Sequence, residues 1–373
     1  MKKTPLFLQH VSRGAVTEVH GDWLLAERFA AVEAEVASVR AGAGLFDLCD
    51  TEVWELHSPD IRRWANGMFT NNLKKPKVGE GNRNALCDDR GRVHGLIDLY
   101  LLAEDRLLVV GDGVSRAAFE QRYEMYLTLD DVEVVDVAGA PSLLSLQGPG
   151  AEAVLAAAGL PIPSKDHAHG FVGGDPLAAG LRVMRRDRLG LGGFDLLVPA
   201  SALGESWEAL LRLGATPAGA ASFEVLRVVA GRARWPQDAV ERSMVHELRL
   251  AAEVCAFDKG CYVGQEVLNR VDIKGSINWK LMGLELAEDA LPPAGAAVVV
   301  ADADGGSEEV GKITSACRFA GRVLALGALK KIAWTPGAPV TVVAGDRRVA
   351  AVVCELPFRG GVAEHPQDAS VLA

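Results

Sequence analysis

Apolar residues recur at helical spacing through residues 22–44, "DWLLAERFAAVEAEVASVRAGAG", and Gly42 and Gly44 predict that the helix stops there. The next stretch, "GLFDLCDTEVWELHSPDIRRWANGMFTNNL", predicts a strand, a cap at Ser58 or Asp60 and a short helix. In "RVHGLIDLYLLAEDRLLVVGD" apolar and polar positions alternate on either side of Glu104 and Asp105, the pattern of two strands joined by a turn. A helix is expected over 113–127 and a strand at "VEVVDV". A strand running into a helix follows in "SLLSLQGPGAEAVLAAAGL", with Pro149 near the first turn, where a missing N–H is harmless. Two further strands and a helix are read in "LRVMRRDRLGLGGFDLLVPASALGESWEALLRLG". This order predicts an α+β fold with mainly antiparallel sheets, in two related halves.

Beyond Lys280 the texture changes to short apolar alternations broken by Pro and Gly at near-regular intervals, which predicts a small β-barrel or sandwich. The expected division is an N-terminal α+β domain over 1–140, a second over 141–280, a barrel over 281–358 and a loose tail over 359–373.

The chain has 373 residues and a formal net charge of −10, which argues against a broad nucleic-acid surface. No apolar run spans a bilayer and the N-terminus carries no signal-peptide pattern, so a cytoplasmic protein without a membrane partner is expected. Six scattered cysteines form neither CxxC nor CxxxC, so no metal site is predicted and free thiols in a reducing compartment fit best. The paired histidines, His167 and His169, sit in a loop-like segment and read as solvated.

One stretch concentrates chemistry: "FDKGCYVGQEV", residues 257–267. Gly260 and Gly264 permit a tight turn around Cys261, and Lys259 is a cation near enough to favour its thiolate. Gln265 and Glu266 open a helix on which Arg270 stands at ion-pair spacing from Glu266. These residues alone leave two readings open, a reactive thiol or a packing cysteine.

"KGCYVGQEV" closely resembles the signature of the YgfZ-type folate-binding proteins, which assist iron–sulfur cluster assembly and repair. "GLFDLCDTEVWELHSPDIRRWANGMFTNNL", "LQGPGAEAVL", "GGFDLLVP", "FEVLRVVAG" and "VGKITSAC…ELPF" resemble landmarks of the glycine-cleavage T-protein superfamily, to which that family belongs. The resemblance implies two α+β domains and a β-barrel arranged as a ring around a channel that binds tetrahydrofolate or a one-carbon derivative. It makes Cys261 the functional thiol, assisted by Lys259, and iron–sulfur proteins or cluster-assembly factors the partners. Asn72, Asp195, Arg227, Gln265, Glu266 and Arg270 become candidate folate contacts, although Arg227 also stands at pairing distance from Glu224 along a helix.

The chain departs from the transferases of the superfamily where a strand is expected to open with acidic residues, for Gly95 and Leu96 stand there, and Leu191 replaces a usual glutamate. Asp98 lies farther along and shares a face with Leu96. The expected function is therefore a folate-binding accessory protein for iron–sulfur enzymes, including tRNA-modifying ones. The alternative is a tetrahydrofolate-dependent aminomethyl- or methyltransferase, and direct tRNA binding is a more distant rival.

Overall fold

The computed structural model describes residues 1–173, 180–240, 243–275, 277–301 and 306–358. The fold is α+β with mainly antiparallel sheets and a closed barrel, as the pattern predicts. The tail over 359–373 lies outside the described residues.

Five antiparallel strands between Val53 and Asp136 make the first large sheet, in the order Gly81–Cys87, Val93–Ala103, Arg106–Asp112, Val53–His57, Glu133–Asp136. Helices Ile61–Met68 and Arg116–Leu129 cover one face, burying Trp54, Phe69 and Phe119 between sheet and helices. The second sheet has six strands, among them Ser142–Gln147, Arg182–Arg185 and Gly193–Val198. Its core packs Trp207, Leu210 and Leu155 from helices Leu203–Arg212 and Ala151–Ala157.

Two features depart from the sequence expectation. Residues 22–44 are only half helical: Trp23–Arg28 pairs with Val16–His20 as a hairpin, and the helix is Val32–Ala41. Gly21, at φ +56°, makes the turn that lets these residues pair instead of coiling. Secondly, Gly44–Asp47 pairs with Ser142–Gln147 and with Thr216–Pro217, inside the second sheet. The boundary expected at residue 140 is therefore crossed, because the first sheet is an insertion between two adjacent strands of the second.

The barrel closes over Trp279–Leu286, Arg322–Lys330, Ser307–Phe319, Ala297–Ala301, Pro339–Ala344 and Arg347–Cys354. It packs against helix Ala220–Val229, where Val225 and Val229 meet Leu324, Leu326 and Phe358. Among the described residues no helix is long and apolar enough to cross a membrane.

Candidate functional site

A cavity of about 550 Å³ opens between the two α+β units. The first unit supplies Arg83 and residues 111–115, the second supplies Phe46, Asp47, Arg186 and Arg188, and residues 232–237 close a further side. The barrel contributes no lining residue, so the expected channel is framed by the α+β units and this connecting segment rather than by all three parts. The volume falls within the roughly 300–1,000 Å³ typical of small-molecule sites.

The floor is a closed net of charges. Arg83, buried on strand Gly81–Cys87, donates to Asp112 at 2.5 Å and stands 3.6 Å from both Asp98 and Glu253. Arg186 donates to Asp98 at 3.0 Å and to Glu253 at 3.2 Å. Burial is the largest influence on the Asp112 carboxylate and works against it, but the charges of Arg83, Arg188 and Arg234, with the Arg83 hydrogen bond, together hold its pKa below the usual carboxylate range. Asp98 is only 1% exposed. Among the described residues its Oδ1, with Arg83 Nε and Nη1 and His169 Nε2, has no hydrogen-bond partner. His169 Nε2 and Arg83 Nη1 face that oxygen at 3.4 and 3.6 Å, and Arg83 Nε faces Glu253 at 3.6 Å; Nη1 and Nε lie beyond direct hydrogen-bond reach. They form a buried polar socket behind the arginines.

Asp50 also lines the cavity, and burial raises its pKa while Arg234 opposes the rise. Gly95 and Leu96 cannot stand in for acids. A Cβ on Gly95 would lie 2.0 Å from Val114 Cγ2, and Leu96 is fully buried beside Val245 and Leu248. The strand instead turns Asp98 toward the arginines, on the face it shares with Leu96.

Residues 6–259 match the family "GCVT N-terminal domain", and residues 280–359 match "Glycine cleavage T-protein C-terminal barrel domain". The chain belongs to the glycine-cleavage T-protein family. A protein named aminomethyltransferase from Herpetosiphon aurantiacus is 29% identical over 365 residues, covering 96% of this chain and 98% of that one. Another of that name, from Halothermothrix orenii, is 27% identical over 367 residues, covering 96% and 100%. The crystal structure of glycine cleavage system aminomethyltransferase T from Bartonella henselae superposes with a TM-score of 0.84 at 24% identity, over 97% of this chain and 99% of that one. That likeness speaks for the fold.

Of the six candidate folate contacts, only Arg227 lines this T-protein-family cavity, and all five of its N–H groups are already used. Nε and Nη2 donate to Glu224, Nη1 to Asp238 and to the Arg232 carbonyl, and Nη2 also to Ser315 of the barrel. Arg227 therefore ties helix to barrel and has no donor left for a ligand. Asp195 is fully buried, clasped by the fork of Arg188 and by Ser145 Oγ at 2.8 Å, so it is Arg188 that reaches the cavity. Asn72 lines a separate, smaller pocket and spends its carbonyl oxygen on the N–H groups of Lys74 and Lys75. Gln265, Glu266 and Arg270 lie on helix Gln265–Lys274, outside the cavity, and no ion pair joins Glu266 to Arg270.

The cysteine loop is a third location. Lys259 Nζ donates to the carbonyls of Asn66 and Asn71 at 2.8 and 2.7 Å, and also to that of Phe69. Burial pushes its pKa down to about 7, with the nearby Cys255 opposing the fall. The ammonium thus pins the loop to the end of helix Ile61–Met68, and no hydrogen bond or ion pair joins it to Cys261. Gly264, at φ +83°, fits so close to the hairpin at residues 88–91 that a Cβ would lie 2.5 Å from the Asp88 carbonyl oxygen. Cys261 is exposed and is not among the cavity's lining residues. His167 and His169 separate, one to Glu80 at 3.0 Å and the other to Asp98 at 3.4 Å. Among the described residues no group of three His, Cys, Asp or Glu side chains is placed to hold a metal.

Sequence reasoning passed over Arg83, Arg186, Arg188, Asp112, Glu253 and Arg234. The usable signal was arginine spacing: "RRDR" at 185–188 and "RAR" at 232–234 cluster cations in an acidic chain.

Proposed function

We propose that this chain binds a reduced folate in the cavity and moves one-carbon groups there, as a tetrahydrofolate-dependent aminomethyl- or methyltransferase. The observation that carries this reading is the socket at Asp98, a buried carboxylate with an unused oxygen beside a cavity of small-molecule size. The residues present fit the group: Phe29, Phe46, Phe223 and Trp235 offer apolar faces to a flat ring system, and Arg188 and Arg83 offer donors beneath them. Tetrahydrofolate, when bound, supplies the nitrogen that accepts the one-carbon unit. Asp98, just behind the lining, holds Arg186 and faces Arg83, so that these two arginines of the lining are fixed where they orient the reacting end. The names of the full-length relatives support the same reading.

The test is formation of methylene- or methyl-tetrahydrofolate from tetrahydrofolate and an aminomethyl or methyl donor. Asp98→Asn is expected to lower the rate by roughly 10²–10⁴-fold. Absence of any such product from wild type would remove the transferase reading.

A second reading, the folate-binding accessory protein for iron–sulfur enzymes, is favoured by a different observation. Residues 260–279, which include Cys261 and its helix, lie between the two family matches, and the thiol is exposed on a loop held rigidly from below. Cells lacking the native gene, complemented with wild type or Cys261→Ala at matched protein levels, test it. If both restore a cluster-dependent modifying enzyme equally, the thiol has no part in function.

A further inference from the structure

The ionic groups of the cavity are almost all committed to one another. Arg83, Arg186, Arg188, Arg227 and Arg232 each donate from the side chain to a carboxylate. Arg234 does not. Among the described residues its guanidinium has no side-chain hydrogen bond, its nearest carboxylate is Glu224 at 3.9 Å, and its side chain is 46% exposed. Glu224 is itself taken by Arg227. Asp50 and Asp112 also feel its charge, but burial favours the neutral form of Asp50, and Asp112 is already taken by Arg83.

The backbone that carries Arg234 is held firmly. Asp238, fully buried, accepts the Arg234 backbone N–H at 2.8 Å and the Arg227 guanidinium at 2.6 Å on one oxygen. Its other oxygen accepts the hydroxyls of Thr314 and Ser315. On the opposite side Gly113 packs so close that a Cβ would lie 2.2 Å from the Trp235 carbonyl oxygen. Residues 232–237 therefore form a strap along the cavity whose backbone is held, and both the uncommitted Arg234 and Trp235 line that cavity. An arginine and an aromatic ring on one wall suit a carboxylate attached to an aromatic body.

We infer that Arg234 is the specificity-determining receptor for a carboxylate on the tail of the cavity's ligand, the solvent-exposed end, while the buried Arg83 and Arg188 receive its ring. This rests on the folate reading above, in which the aminobenzoyl-glutamate portion supplies both the aromatic body and the carboxylate.

Binding calorimetry separates the parts. Tetrahydrofolate and a tetrahydropterin lacking the aminobenzoyl-glutamate tail are titrated into wild type, Arg234→Met and Arg234→Lys, each as the full chain. Arg234→Met is expected to weaken tetrahydrofolate roughly ten- to a hundred-fold, the range of a charge-assisted bond, and to leave the tailless pterin unchanged. Arg234→Lys is expected to fall between, because an ammonium lacks the fork. Equal loss for both ligands, or no loss for either, overturns the role of Arg234 while leaving the folate reading intact. If wild type binds neither ligand, the folate reading fails and this inference fails with it.

Discussion

In the cavity, each buried arginine meets a carboxylate, and together they form a connected net of charges. At residues 259–264 a single ammonium is instead held by three uncharged carbonyls, while the neighbouring thiol faces solvent. The net is built for a ligand to enter: it leaves one guanidinium free at the strap and one carboxylate oxygen unused in the socket. The loop is built to stay where it is, since its charge points inward and holds backbone. Chemical richness in a short motif therefore does not mark where the chain converges on a ligand. Lys259, the residue that made the motif look reactive, is the one that anchors it.

The sharpest way to break this contrast is to remove the hub behind the strap. Asp238→Ala takes from buried Arg227 one of its two carboxylates and leaves Thr314 and Ser315 without their acceptor, and is expected to cost about 3–5 kcal/mol in urea unfolding. A loss near that expected for a surface residue would mean that the strap is held by something else. At the loop, Lys259→Met leaves three carbonyls without their donor and is expected to cost about 1–3 kcal/mol.

Glycine substitution sharpens the same point. Gly264→Ala, at positive φ and against the Asp88 carbonyl, is expected to cost about 1–3 kcal/mol. Gly260→Ala, with nothing within 4 Å, should stay within about 0.5 kcal/mol of wild type. Equal melting temperatures for the two variants would remove the close fit of loop to hairpin.

Acid titration probes the net in another way. The folded pKa of Asp112 lies below its unfolded value, so its contribution is full above about pH 4 and is lost as pH falls through the folded pKa. Asp112→Asn should flatten the acid limb of the stability profile and leave the alkaline limb alone. An unchanged acid limb would mean that Arg83 does not depend on this partner. The smallest expected effect is that of Cys261→Ala, within about 0.5 kcal/mol. In wild type, a thiol reagent followed by mass spectrometry should label Cys261 first, and Cys87 and Cys317, buried, only on unfolding.

Much of the architecture was legible because it is local. The barrel announced itself through Pro and Gly spacing, and "GGFDLLVP" gave the strand Gly193–Val198 directly. The pairing of Gly44–Asp47 with Ser142–Gln147 was not legible, because no periodicity within a window reports a partner so far along the chain. The same limit governs the site. Asp98 was noticed, but its partner Arg186 arrives from another sheet, and Arg83 sits in an unremarkable strand where only the fold gives it meaning. Asp195 was singled out as a candidate folate contact, and the structure places it beneath the cavity, bonded to Arg188. What the sequence could not say is that Arg188 would occupy it.

The insertion of the first sheet into the second bears on how the chain is made. Strands Gly44–Asp47 and Ser142–Gln147 lie side by side, so the ends of the inserted unit are held together at its base. During synthesis that unit has all its strands once Glu133–Asp136 has emerged, and it can fold while the ribosome is still at work. Gly44–Asp47 must meanwhile wait for Ser142–Gln147 on one side and for Thr216–Pro217 on the other. The cavity, whose walls come from both units and from residues 232–237, therefore has no existence in the early nascent chain and cannot be complete until those residues have emerged.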